Sequence, residues 1–188
     1  MAEEQGRFNF DDIAEGIAEK MVRRHPHVFG TDEERAKGNV DGSWEAIKER
    51  ERAAAPDASA LAGVARALPA LKRAEKLGKR ASRAGFDWPD RKGVHEKIGE
   101  ELDELQDAIG SRDARHIEEE LGDALFAVVN LARHLDVDPE KALAGANTKF
   151  ERRFRVMEAD IQASDLKMSK MSLERLDQFW RKAKRETG

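Results

Sequence analysis

From Ile98 to Ala132 apolar residues return mostly every three or four positions, and the pattern breaks once, around Gly110, Ser111 and Asp113. An α-helix turns about 100° per residue, so this spacing draws two stripes. Ile98, Leu102, Leu105 and Ile109 form one; Leu121, Leu125, Val128 and Ala132 form the other. A glycine followed by Ser and Asp ends one helix and starts the next. Two helices joined that closely have to pack antiparallel, and this hairpin limits the fold more than any other feature of the chain.

Acids run along the flank of each stripe. Lys97, Glu101 and Glu104 lie together beside the first, and Glu120 and Asp123 beside the second, within the clusters Glu100 to Glu104 and Glu118 to Asp123. Antiparallel packing brings the two acidic flanks face to face, where uncompensated negative charge is costly. The chemically sensible partner is a divalent cation, and oxygen-only ligation favours Mg²⁺ or Mn²⁺ over zinc. Ala124 and Ala127 follow on the acidic flank and are small enough to leave room for an ion or a phosphate. Acidic runs also mark solvated helix faces in a chain that is 38% charged, and Asp103, Glu118 and Glu119 are read that way.

Strand signals are nearly absent, so the chain reads as all-α, with helices expected over 10–24, 32–52, 61–84, 93–109, 114–135, 139–160 and 172–185. Thr31 with Glu34 makes a capping box, Asp138 precedes Pro139 at a first helical position, and Gly85 follows the third helix. The stretch around Pro56, residues 53–60, is the expected linker. Part of the chain repeats: Lys20 to Arg24 matches Lys149 to Arg153, and Trp44 with Lys48 matches Trp180 with Lys184. Residues 1–52 are therefore expected to be the back half of an incomplete repeat whose acidic front half is missing, with 61–188 as the complete domain.

Lys149 and Arg153 share a helix face, and Trp180 with Lys184 repeats that spacing. Beside an acidic metal cluster such groups suit a nucleotide: cations reach phosphate oxygens and a ring covers a base. Phe150 and Phe154 are expected in the core, and Arg152 and Arg155 in solvent. No Glu-x-x-His occurs, which argues against a di-iron carboxylate site, and His25-Pro26-His27 is read as structural.

A net charge of −4 argues against nucleic acid or an anionic membrane as partner, and the absence of cysteine fits a reducing compartment. The longest apolar run, Ala124 to Val129, is too short to span a bilayer. A soluble, cytoplasmic protein is expected.

Glu100, Glu101, Glu104, Glu120 and Asp123 stand as Glu-Glu-x-x-Glu followed by Glu-x-x-Asp. With Leu121 to Phe126, Asn130 to Leu135, Asn147 to Phe154 and Arg23 to Phe29 they resemble the MazG family of nucleoside triphosphate pyrophosphohydrolases. The resemblance implies a helical bundle completed by dimerisation. It also implies hydrolysis between the α- and β-phosphates to give monophosphate and pyrophosphate. Glu101, Glu104, Glu120 and Asp123 match the family's metal ligands; Lys97, Glu100, Lys149, Arg153, Trp180 and Lys184 match its nucleotide-contact region. Glu100 or Glu101 is then the expected proton acceptor for the attacking water. Two competing expectations are a narrow-specificity relative acting on dUTP or phosphoribosyl-ATP, and a helical dimerisation module without catalysis.

Overall fold

Asn9 opens the first described helix because its side chain and that of Asp12 each accept the other's backbone N–H, at 3.0 and 2.7 Å. The structure, a computed structural model, describes residues 8–36, 38, 57 and 59–188. The chain divides into two units, one ending at Gly63 and the other running Val64–Gly188. No strand occurs among the described residues, and no helix there is long and apolar enough to cross a membrane.

In the first unit α1 spans Phe10–Arg24, α2 Pro26–Phe29 and α3 Asp32–Ala36. His25 Nδ1 bonds to the Met21 carbonyl at 2.7 Å, and Pro26 begins α2. The His-Pro-His segment, read from sequence as structural, is a helix junction. The Thr31 capping box forms: Thr31 N–H donates to Glu34 Oε2 at 2.8 Å, and Glu34 N–H to Thr31 Oγ1 at 3.3 Å. The expected extension of this helix to residue 52, Trp44 and Lys48, and most of the 53–60 linker lie outside the described residues.

The second unit holds α4 (Ala70–Arg83), α5 (Arg91–Ser111), α6 (Ala114–His134) and α7 (Pro139–Ala163). A 3₁₀ turn at Met168–Lys170 then leads to α8 (Leu173–Thr187). The α5–α6 hairpin is the centre; α4 packs on α6 and on α7, the longest helix among the described residues, while α7 pairs with α8. α4 starts nine residues later than the expected 61 because Pro69 stands at its N-cap. A proline inside that stretch would remove a helical bond and clash with the preceding turn, which outweighs the apolar periodicity. Gly85, at φ +91°, terminates α4 as expected. Lys72 ties α4 to α7 by meeting both buried Glu75 and Asp138, the α7 N-cap, at 2.7 Å. Hydrogen bonds to Asp138 and then Glu75 push Lys72 up to about 12.

The hairpin forms with its turn two residues beyond the glycine: Arg112, at φ 58°, takes the left-handed position, and the Asp113 side chain caps α6. Its buried face differs from expectation. Leu102 is 53% exposed and Leu125 52%, with Ile109, Leu121 and Val128 similarly open. The seam is made instead by Val94, Glu101 and Ala108 on α5 and Ala124, Ala127 and Asn130 on α6. Alanines at the crossing let the backbones approach closely, so the flank that carries the acids becomes the inside of the hairpin. Leu102, Ile109, Leu121, Leu125 and Val128 face outward, while Ile98 and Leu105 are half-buried. A second cluster joins α7 to α8 around Met157, Ile161 and Ala183.

Candidate metal and nucleotide site

Because α5 and α6 are antiparallel with their acidic flanks inward, Glu101 and Glu104 from one helix meet Glu120 from the other. One carboxylate oxygen from each lies within 4.8 Å of the others. Glu101 is only 6% exposed. Lys97, one turn earlier, partly compensates it, reaching Glu100 at 2.8 Å and Glu101 at 2.9 Å. Those two bonds hold Lys97 well above the ordinary lysine range, so it remains a cation. Desolvation raises the carboxyl of Glu104; Lys97 opposes this, while the charges of Glu101 and Glu120 add to it. Three hard oxygen donors converging from two helices, one of them buried, suit a small divalent cation such as Mg²⁺ or Mn²⁺.

Asp123 lies outside the three-acid group but lines the same cavity, with Lys97 and Glu101. Glu100 is mostly exposed, its one ion pair being to Lys97. The cavity, of about 90 Å³, also has Trp88, Val94, Phe126, Ala127 and Asn130 in its wall. Trp88 and Asn130 were not singled out from sequence. Asn130 could have been, since it follows Asp123 and Ala127 on one helical face; Trp88 could not, because it arrives from the loop before α5. Its ring lies directly on the backbone of that helix, where a Cβ at Gly93 would come within 2.5 Å of it. His116 is a further neighbour, with Nε2 3.1 Å from Glu120 Oε1 across one turn.

A polar clasp fixes the far end of this cavity. Asp87 receives both terminal nitrogens of Arg133, at 2.8 and 2.5 Å, and bonds to His134 Nε2 at 2.9 Å. The Arg133 hydrogen bonds, despite opposing desolvation, hold the Asp87 carboxyl far below the usual range. Arg133 Nε then donates to Asn130 Oδ1 at 2.8 Å.

The cationic residues gather elsewhere, on α7 and α8. Lys149 and Lys184 are exposed. Arg153 donates to Thr187 Oγ1 at 3.3 Å and to the Gly188 carbonyl at 3.2 Å. Trp180 meets Phe150 with ring centroids 5.3 Å apart and, with Phe154 and Met157, lines an apolar groove of about 250 Å³. That groove shares no lining residue with the acidic cavity. Phe154 packs on the core as expected, whereas Phe150 is exposed. Arg152 is exposed too, yet donates to the Thr187 carbonyl at 2.8 Å, and Arg155 pairs with Glu151.

A family model described as the MazG nucleotide pyrophosphohydrolase domain matches residues 1–29 and 91–156. The chain is 46% identical, over 99% of its length and 72% of the relative's, to the nucleoside triphosphate pyrophosphohydrolase of Escherichia coli. It is 44% identical, over 98% of its length and 69% of the relative's, to the nucleoside triphosphate pyrophosphohydrolase/pyrophosphatase MazG of Thermotoga maritima. A Bacillus subtilis protein, the uncharacterized YabN, is 41% identical over 98% of this chain and 38% of its own length. With the acidic hairpin, the family match and relatives alike across nearly the whole chain, this protein belongs to the MazG family of nucleotide pyrophosphohydrolases.

Proposed function

We propose that this chain, a nucleoside triphosphate pyrophosphohydrolase, cleaves its substrates between the α- and β-phosphates at the α5–α6 hairpin, giving monophosphate and pyrophosphate. The observation that carries the reading is the convergence of Glu101, Glu104 and Glu120 across that hairpin. These three and Asp123 would hold Mg²⁺ or Mn²⁺. Such an ion, when bound, neutralises phosphate charge and makes water more acidic. Lys97 reaches a phosphate oxygen from the rim of the cavity, and Glu100 or Glu101 accepts the proton of the attacking water.

Lys149, Arg153, Trp180 and Lys184 are assigned to nucleotide contact. Their place on α7 and α8, apart from the acidic cavity, is consistent with a site completed by another subunit. The exposed stripes support a homodimer: Leu102, Ile109, Leu121, Leu125 and Val128 form an apolar surface that a second copy would cover, completing the bundle. Residues 1–52 fit the back half of a repeat, 53–60 a linker and 61–188 the catalytic domain, a division supported by one family model matching both 1–29 and 91–156. Small nucleotides, a cytoplasmic setting, and no nucleic-acid or membrane partner accord with the acidic balance.

Product analysis tests the function. Incubation with a nucleoside triphosphate and Mg²⁺, followed by anion-exchange chromatography, should give monophosphate and pyrophosphate, and a chelator should stop the reaction. Diphosphate with orthophosphate would move the attack to the γ-phosphorus and refute the assignment.

A further inference from the structure

The cavity beside the acids continues past them. Its α5 wall is Glu101, Lys97 and Val94; its α6 wall is Asp123, Ala127 and Asn130. Each series steps along one helical face, and the helices are antiparallel. The acids therefore close one end, and Asn130 with Trp88 stands at the other. Asn130 follows Asp123 by seven residues, about 10 Å along the axis. That is the length scale of a nucleoside beyond its α-phosphate.

Asn130 is 6% exposed. Its Oδ1 is held by Arg133 Nε, which can only donate, so the bond decides which end of the amide is oxygen. Flipping is resisted from both sides. Asp87 anchors Arg133, and α4 closes over the pair so tightly that a Cβ at Gly78 would lie 3.3 Å from Asn130 Oδ1. The amide nitrogen donates to no acceptor among the described residues, and the residue lines the cavity. A donor of fixed orientation that opens on the cavity, with no protein acceptor, is placed to serve a ligand carbonyl.

We infer that Asn130 is a specificity-determining residue whose amide donates to a carbonyl oxygen of the nucleobase, with Trp88 as the flat wall against which the base lies. This rests on the triphosphate reading above. The amide nitrogen can only donate, so uracil or hypoxanthine, with a carbonyl at the contact point, completes the hydrogen bond. Cytosine or adenine presents an exocyclic amine there, and two donors meet.

The test is kcat/KM of the full chain with Mg²⁺ for two pairs, UTP against CTP and ITP against ATP. Each pair differs by carbonyl against amine and the adjoining ring nitrogen. The wild type should favour UTP and ITP by about tenfold or more. Asn130→Asp replaces the donor with an acceptor that can still pair with Arg133, and should shrink that preference by about tenfold or invert it, mainly through KM. Asn130→Ala removes the donor without adding charge and should level each pair. A purely structural role would lower both members equally and leave the ratio unchanged, which would overturn the inference. Equal wild-type values within both pairs would overturn it whether or not a variant folds. Turnover without base preference defeats this inference alone, whereas no pyrophosphate from any nucleotide defeats the function on which it rests.

Discussion

Replacing Asp87 by Ala should be among the more destabilising single changes in the second unit, although Asp87 sits in a loop. Its side chain is 21% exposed and its partners Arg133 and His134 only 11% and 13%. Removing one member of a well-buried ion pair costs about 3–5 kcal/mol, because the other charge is left without a partner. Here a fifth of the carboxylate is open to water, and Arg133 can rehydrate through the gap, which lowers the figure to about 2–3 kcal/mol. Asp87→Asn keeps a neutral acceptor for one guanidinium N–H and should cost about 1–2 kcal/mol. Melting followed by circular dichroism at pH 7 would register the Ala variant as a fall of roughly 6–12 °C. The pH dependence has a definite sign. The folded-state pKa of Asp87 is depressed, so its contribution is present above the unfolded value, about 3.9, and is lost as pH falls through the folded value. The gap between wild type and Asp87→Asn should thus hold from pH 5 to 8 and narrow below about pH 4. A loss under about 0.5 kcal/mol at neutral pH, or a gap that ignores pH throughout, would refute the clasp as a stabilising element.

Three other outcomes are expected. Glu101→Gln, at the buried acid, should lower kcat by about a hundredfold or more while far-UV circular dichroism stays helical; near-wild-type turnover at saturating Mg²⁺ would place the ion elsewhere. Leu125→Lys puts a charge on the outward stripe and should shift sedimentation from dimer toward monomer if a second copy covers that surface; an unchanged profile would show that it does not. Arg153→Ala should weaken nucleotide binding, measured by titration calorimetry, more than Arg152→Ala does, because the two side chains point about 100° apart on α7; equal effects would mean that the wrong face was assigned to phosphate.

The amino-acid sequence determined what local chemistry can determine. Asn9 to Arg24, the Thr31 box, Asp138 before Pro139 and Gly85 after α4 act within one helical turn, so hydrogen bonds a few residues apart suffice to place them. The acids were legible for the same reason: three- and four-residue spacing fixes which side chains share a face, and the short Gly110 to Asp113 break turns α6 back on α5. Pro69 was also on display, but its steric veto had to compete with an apolar pattern running through it. Only the tertiary structure decided which face of the hairpin is inside. Periodicity shows that Leu102 and Leu125 favour burial without saying against what, and the small Ala108, Ala124 and Ala127 win the seam because they allow close approach. Nor could spacing bring Asp87 to Arg133, 46 residues on, or set Trp88 over Gly93 and Asn130 in the wall of the cavity that the acids close. Those placements depend on how whole helices cross, and the energy that chooses a crossing is spread over many contacts between residues far apart in the chain.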